Sequence, residues 1–214
     1  MRLLTLITCL STLLFLASCG KDKKKPDGDD GELTPQSPIT GSWTSECTLA
    51  PAPHGGNYYQ LHALRFSQST YTLETQIFSE NTCSDFLKRE YVVKKTGRLV
   101  TSEDPNKDDQ LLPINDEAAG YAIKTSNPQN TELFTQAKVC GVTDWKLDTY
   151  KSVSGKTCWN KNIFDLQIFY TTTRAINTPE KATLEFAVTS AGQDGRSPEK
   201  RATQFTSSLI FTKK

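Results

Sequence analysis

The sequence predicts an all-β domain, built as an antiparallel, meandering β-barrel of about eight to ten strands with one short helix. Three observations favour this fold class. Apolar and polar residues alternate with period two in many segments after Gly41, turn-forming residues separate those segments, and no helical crossover pattern lies between them. A β-sandwich would hide the same apolar faces and stays open as the alternative.

Residues 1–18 have the pattern of a secretory signal peptide. Arg2 supplies a positive charge, a mostly apolar run follows over residues 3–16, and the small residues Ala17 and Ser18 end the segment. This order is typical of exported chains. The apolar run is shorter than the roughly 20 residues that a membrane-spanning helix needs, so we expect no permanent transmembrane anchor.

The end of this segment, Leu16-Ala17-Ser18-Cys19, resembles the bacterial lipoprotein box. The resemblance implies that the thiol of Cys19 is joined to diacylglycerol, that the chain is cut before Cys19, and that the new amine is acylated, typically with palmitate. More than one acyl chain gives stable anchoring, so we expect the membrane as a partner. Gly20 stands where Asp would imply inner-membrane retention, so the resemblance implies the outer membrane of the cell envelope if the source is Gram-negative.

Residues 19–40 combine this lipidated cysteine with a polar segment. Only Leu33 and Ile39 have aliphatic side chains larger than those of Ala or Pro, and the lysines are matched by acidic residues. Such a segment buries too little apolar area to offset its ordering entropy, so we expect a disordered tether. Residues 41–214 then form the β-barrel domain.

The charge of the chain is balanced. The formal net charge is +1, and loss of residues 1–18 removes only Arg2 from the count. A nucleic-acid partner would call for a basic surface, so we expect no nucleic acid to bind. The sequence identifies no protein partner.

Three segments show the strand pattern most clearly. Their predicted inward faces are Tyr71, Leu73 and Ile77 in "TYTLETQIF", Leu184, Phe186 and Val188 in "ATLEFAVTS", and Phe164, Leu166, Ile168 and Tyr170 in "IFDLQIFY". Further strands are predicted over residues 42–49, 58–66, 86–94, 120–125, 145–150 and 207–212. The segment 130–140 favours a short helix.

Four cysteines remain after removal of the leader: Cys47, Cys83, Cys140 and Cys158. An even number in an exported chain indicates disulfide bonds, and their wide spacing argues against zinc. Three pairings are possible. The predicted strand order places Cys47 and Cys83 at one rim, and Cys140 and Cys158 bracket one segment, so we predict the pairs Cys47–Cys83 and Cys140–Cys158.

The stretch "GSW", Gly41–Trp43, resembles the G-x-W motif that opens the lipocalin barrel. The resemblance implies a lipocalin-like fold in which Trp43 packs at one barrel end. A larger part of 41–214 resembles a group of small secreted bacterial proteins and lipoproteins. The shared motifs are "GSWTSEC", "FSENTC", "CGVTDW" and "GQDG". That resemblance implies fold and compartment, and no activity.

No catalytic or cofactor motif is found in the sequence. His62 alternates with Leu64 and Phe66, so we expect it inside the barrel or at its rim, and we expect His54 to be a solvated loop residue. The loop with Asp104, Asn106 and Asp108 lacks the Gly and Glu of a calcium loop. Asp165 and Glu185 could form a pair of glycosidase carboxylates, but both fall on the polar faces of their strands, where charged residues are common. We therefore expect no metal, no cofactor and no enzymatic activity.

Two functions fit these observations. In the first, the barrel binds a small apolar or amphipathic ligand. In the second, the barrel is filled by its own side chains and the protein has a structural or protein-interaction role in the envelope. An inward face crowded with aromatic side chains favours the second; the candidates are Phe66, Tyr71, Phe164, Phe186 and Phe211.

Overall fold

The computed structural model describes residues 39–85, 88–101, 111–159, 164, 166–178, 181–206 and 209–214. Within these ranges the strands are β1 (Gly41–Ser45), β2 (Thr48–Pro51), β3 (Asn57–Ser67), β4 (Thr70–Phe78), β5 (Arg89–Thr101), β6 (Leu111–Thr125), β7 (Lys151–Ser152), β8 (Ile168–Asn177), β9 (Ala182–Phe186) and β10 (Ile210–Lys213). The helix α1 spans Pro128–Gln136, and short 3-10 turns span Val139–Gly141 and Pro198–Lys200. The predicted signal peptide, Cys19 and residues 20–38 of the predicted tether lie outside the described residues.

Eight of these strands close into a barrel. In the order β1, β3, β4, β5, β6, β8, β9 and β10, each strand pairs antiparallel with the next, and β10 returns to β1 with Lys213 opposite Trp43. Consecutive barrel strands are therefore neighbours in space, which confirms the predicted all-β, antiparallel, meandering barrel. The sheets of the alternative β-sandwich do not form. Closure removes the two edges that an open sheet would expose.

The barrel wall is uneven in height. β3, β4, β5 and β6 span 11, 9, 13 and 15 residues, whereas β1, β9 and β10 span 5, 5 and 4. β2 pairs with the beginning of β3, and β7 pairs with the end of β6, which raises the wall further on the tall side. We call the end with β2, β7 and α1 the upper end, and the end with the β3–β4 turn the lower end.

Buried apolar side chains form one cluster toward each end. The upper cluster contains Ala52, Ile77, Tyr91, Val93, Ile123, Phe134, Val139, Cys140, Val142, Trp145, Val153, Cys158 and Phe164. The lower cluster contains Ile39, Trp43, Leu64, Phe66, Tyr71, Leu99, Ile114, Ala175, Leu184 and Phe211. Each large side chain that is fully buried contributes about 1.5–3 kcal/mol, so these clusters supply most of the driving force for folding.

The helix α1 covers part of the upper end. Asn127 caps it by accepting a hydrogen bond from the Asn130 backbone N–H at 2.8 Å, and Pro128 is well suited to the first turn because it has no N–H to satisfy. Phe134 is its buried residue and packs edge-on against Trp145 at 5.3 Å between ring centroids. The helix predicted in segment 130–140 is present.

One predicted strand face is wrong. In "IFDLQIFY" the strand begins only at Ile168, and Leu166 and Ile168 are 52% and 47% exposed. The register places Thr171 opposite the inward Ile114, which turns Thr171 and Thr173 of β8 inward and Tyr170 outward. Arg201 covers this outer face by donating to the Thr171 carbonyl at 2.9 Å and stacking 5.6 Å from the Tyr170 ring. The alternation pattern does not distinguish Tyr170, which lies under the loop of Arg201, from an aromatic residue in the core.

Other predicted boundaries also move. The segment 145–150 is not a strand, because it forms turns that pack Trp145 into the upper cluster. The strands β5 and β6 are longer than the predicted 86–94 and 120–125. The bulge where Thr96 and Gly97 shift register had hidden their continuity in the sequence pattern.

Candidate functional site

Between the two clusters lies a layer of inward-facing residues that are only partly buried. We define the lumen tier as His62, Leu73, Thr75, Lys95, Asp116 and Tyr121. Each alternates along its strand with buried core residues, and each keeps part of its surface accessible. The side chains of Lys95 and Asp116 remain 18% and 17% exposed. Fully buried residues lie toward both ends of the barrel, so the lumen tier forms a partly accessible level between them.

An ion pair lies at the centre of the lumen tier. The Nζ of Lys95 on β5 donates to Oδ2 of Asp116 on β6 at 2.5 Å. The hydroxyl of Tyr71 on β4 donates to the other oxygen, Oδ1, also at 2.5 Å. Both carboxylate oxygens of Asp116 are thus engaged by side chains of the barrel interior. An ammonium group has three N–H donors, so Lys95 keeps two beyond the one given to Asp116.

Two tyrosine rings flank the ammonium group. The Nζ of Lys95 lies 5.6 Å from the ring centroid of Tyr71 and 6.0 Å from that of Tyr121. Both distances lie within the range of cation–π attraction. The pKa of Tyr71 is raised well above its ordinary range by burial, then by the Asp116 charge and by their hydrogen bond. Tyr71 therefore stays a neutral donor at physiological pH.

Gly97 makes this arrangement possible. It lies on β5 between Tyr71 and β6, opposite Tyr71 in one register and Ala118 in the other. A Cβ atom at this position would lie 2.7 Å from Cε1 of Tyr71 and 2.5 Å from the Glu117 carbonyl oxygen. Any side chain would therefore displace the ring that reaches Asp116.

His62 supplies a second polar group to the lumen tier. Its Nδ1 is 3.0 Å from Oγ1 of Thr75, and its ring packs edge-on against Phe211 at 6.4 Å. Burial lowers the pKa of His62 to about 4, so the imidazole is neutral at physiological pH. The inward orientation predicted from its alternation with Leu64 and Phe66 is confirmed.

His54 is not the solvated loop residue that the sequence predicted. Its Nδ1 is 2.6 Å from the Tyr91 hydroxyl, and its ring lies 4.5 Å from Tyr58 and 5.9 Å from Trp159. Burial lowers its pKa, and the nearby charge of Glu90 opposes that shift. The hairpin between β2 and β3 folds this histidine against the upper cluster, a contact with no signal in the local sequence.

Trp43 packs at the lower end of the barrel. It is 1% exposed, its Nε1 donates to the Ile39 carbonyl at 2.8 Å, and the Nζ of Lys213 lies 5.5 Å from its ring. Trp145 and Trp159 belong instead to the upper cluster. The Nε1 of Trp145 is buried without a hydrogen-bond partner among the described residues.

Two disulfide bonds fix loops at the upper end. Cys47 is joined to Cys83, and Cys140 is joined to Cys158, the same pairs that the strand order predicted. The first bond ties the break between β1 and β2 to the segment that follows β4. The second ties the 3-10 turn after α1 to the chain near Trp159. Loops with little regular structure are thereby held against the upper cluster.

The remaining candidates do not assemble into a site. Glu185 is held on the outer wall by Arg174, whose Nε donates to it at 3.0 Å, and Asp165 lies outside the described residues. The loop with Asp104, Asn106 and Asp108 is outside them as well. Among the described residues, no group of three or more His, Cys, Asp or Glu side chains is arranged to hold a metal ion. None of the helices in the described part of the chain is long and apolar enough to cross a membrane.

No protein-family model and no curated protein matches this chain. Inference about function therefore depends on the geometry of the barrel itself. No motif in the sequence distinguishes Lys95, Asp116 or Gly97. Alternation along β5 would have identified Lys95. It falls on the same inward face as Tyr91, Val93 and Leu99 and is the charged residue of that face.

Proposed function

We propose that this protein is a membrane-anchored lipoprotein of the cell envelope whose lipocalin-like barrel binds a small apolar or amphipathic molecule. The observation that carries the proposal is the lumen tier, with its partly accessible polar groups set between two apolar clusters. A barrel of eight strands is wide enough to hold one small ligand. A partly accessible ion pair, in which Lys95 has further N–H donors, suits the polar head group of a ligand. The apolar clusters suit the apolar tail of a ligand.

The anchoring part of the proposal comes from the sequence. Cys19 follows a leader that resembles those of bacterial lipoproteins, and Gly20 agrees with outer-membrane placement if the cell is Gram-negative. Disulfide bonds in the barrel suit an oxidising compartment outside the cytoplasm. We propose binding without catalysis, because Asp116 is occupied by Tyr71 and Lys95, and Nδ1 of His62 lies within hydrogen-bond distance of Thr75.

A structural or interaction role remains the second candidate. It is favoured by the lower cluster, where Phe66, Tyr71 and Phe211 fill the barrel as the filled-barrel hypothesis expects. Phe164 lies in the upper cluster before β8 begins, and Phe186 is only partly buried. Buried side chains thus lie toward both ends of the barrel with partly accessible side chains between them, which supports ligand binding as the first candidate.

Mass spectrometry of lipid extracts from the natively purified protein tests the proposal. We expect one molecular species, or a narrow family, to copurify with the wild-type protein at a stoichiometry near one. A Leu73→Trp variant should fill the lumen tier and lose that species, while an outward substitution on the same strand, Thr72→Val, should keep it. Equal recovery from both variants would contradict binding in the lumen.

A further inference from the structure

We infer that the lumen takes an uncharged amphiphile, with an apolar tail and a head group of the carbonyl type that accepts hydrogen bonds, in preference to a fatty-acid anion. This inference rests on the proposed ligand-binding function and narrows its ligand to one chemical class. It follows from the charge balance of the lumen tier and from the hydrogen-bond donors and acceptors of its ion pair.

The lumen tier is electrically neutral. Lys95 and Asp116 form a contact ion pair in which the two charges cancel. The other members are His62, Leu73, Thr75 and Tyr121, and His62 is neutral at physiological pH because burial lowers its pKa to about 4. Bringing one more unpaired charge to such a place is unfavourable, because the charge loses solvation that no partner replaces. A carboxylate would place a second negative charge beside Asp116 against the single positive charge of Lys95, whereas an uncharged head group leaves the pair neutral.

The hydrogen-bonding capacity of the ion pair is one-sided. Asp116 accepts from Tyr71 through one oxygen and from Lys95 through the other. Lys95 gives one N–H to Asp116 and retains two for a partner in the lumen. The matching ligand therefore supplies an acceptor. A cationic head group has none to offer Lys95 and would be repelled by it.

Apolar side chains for the tail lie next to the ion pair. Leu73 on β4 is directly opposite Lys95 in the β4–β5 register and packs on the lower cluster. Across the barrel, Phe186 and Leu209 are partly buried against the same cluster, at the upper limit of the short wall. Phe186 meets Phe211 at 5.9 Å. An apolar tail between these side chains would bury the apolar surface that they leave accessible in the protein alone.

Three probes with the same alkyl chain separate the possibilities: decanamide, decanoate and decyltrimethylammonium. The full chain with Cys19→Ala, exported and purified with its disulfides intact, avoids competition from its own acyl groups. Titration calorimetry at neutral pH gives the three affinities. We expect decanamide to bind at least about tenfold more tightly than decanoate, and the cation to bind most weakly.

Two variants test the role of the ion pair. Asp116→Asn keeps the size of the side chain but leaves Lys95 uncompensated, so it should reverse the order and favour decanoate. Lys95→Met removes the donors and should weaken decanamide by about tenfold without improving decanoate. Lys94→Met is the matched control, because Lys94 faces outward and stacks on Tyr150 with its Nζ 3.8 Å from the ring centroid. It should leave all three affinities unchanged.

The outcomes distinguish this inference from the proposed function. If decanoate binds the wild-type barrel as tightly as decanamide, the preference for an uncharged head group is overturned and ligand binding stands. If no probe binds and no lipid copurifies, ligand binding itself is wrong and the inference falls with it. The ranking in the wild-type protein does not depend on any variant, so it decides the question even if Asp116→Asn fails to fold.

Discussion

The Tyr71 hydroxyl reaches Asp116 two strands away, because Gly97 on the strand between them has no side chain. A contact from β4 to β6 thus passes over β5 inside the barrel. The packing of the lower cluster and the orientation of the lumen ion pair both depend on this one gap. Its removal should therefore affect stability and ligand binding together.

Gly97→Ala should destabilise the barrel by about 1–3 kcal/mol, the usual cost of overpacking. The new methyl group would meet both the Tyr71 ring and the Glu117 carbonyl, and backbone gives way less easily than a side chain. Urea unfolding followed by tryptophan fluorescence measures the loss. Gly120→Ala is the control, since its Cβ would lie 3.2 Å from the nearest atom, Oγ1 of Thr96. Equal losses in the two variants would contradict a special role for Gly97.

The stability of the barrel should fall as the pH drops below about 6.5. Burial lowers the pKa of His62 in the folded state to about 4, while the unfolded chain takes up the proton near its ordinary value of 6.5. The unfolded state thus binds more protons between these values, and folding loses up to about 3 kcal/mol by the lower limit. The pKa of His54 is also lowered, so His54 adds a dependence of the same sign.

A His62→Gln variant separates this effect from the carboxylates. Chemical unfolding at neutral pH and near pH 5 should show a smaller loss in the variant than in the wild type. His54→Gln, measured in parallel, should retain most of the loss, because His62 is the more deeply buried of the two. An unchanged pH slope in His62→Gln would show that the imidazole is already accessible to protons in the folded barrel.

Loss of the Cys47–Cys83 bond should lower the free energy of unfolding by roughly 3–4 kcal/mol in the chain-entropy account of its loop. The bonded residues are 36 apart in the chain, against 18 for Cys140 and Cys158, so the first bond restrains the longer loop. Non-reducing peptide mapping establishes the bonds, and calorimetry of the Cys47→Ala/Cys83→Ala double variant measures the effect. A peptide joining Cys47 to Cys140, or four free thiols, would refute the pairing.

Cys19→Ala should abolish lipid modification. The prediction follows from Leu16-Ala17-Ser18-Cys19 at the end of an apolar leader. Metabolic labelling with a clickable fatty acid should mark the wild-type chain and not the variant, which should be released or held as its precursor. The double cysteine variant of the barrel serves as control and should label normally. Equal labelling of the wild type and Cys19→Ala would rule out this anchor.

Strand alternation predicted the fold where one face of a strand is apolar and the other is wet. β4 is such a case, with Tyr71, Leu73 and Ile77 inward. The rule failed at residues 163–170, because Arg201 and its loop cover the outer face of the barrel there. Tyr170 therefore faces outward although it is aromatic, and Thr171 faces inward although it is polar. Coverage of that kind depends on contacts between distant segments, which a local period cannot report.

The lumen tier was hidden for a different reason. A lysine and an aspartate on strands are ordinarily surface residues, and only their register across β5 and β6 brings Lys95 and Asp116 together inside the barrel. That register includes a bulge between Thr96 and Gly97. The bulge shifts the residues of β6 that follow it by one position. Alternation counted from one end of β6 therefore predicts different inward side chains from alternation counted from the other end.

The barrel closes where β1 pairs with β10 and Trp43 lies opposite Lys213, a contact between strands far apart in the chain. When the N-terminal part of the chain is made first, β3 can pair with β4, β4 with β5 and β5 with β6 as each strand appears. β1 gains its second neighbour only when residues 210–213 arrive, and contacts between such distant segments form slowly. Until then β1 and β9 expose unpaired backbone. A chain that stalls before Ile210 would therefore expose two unpaired strand edges, which favour association with other unfolded chains.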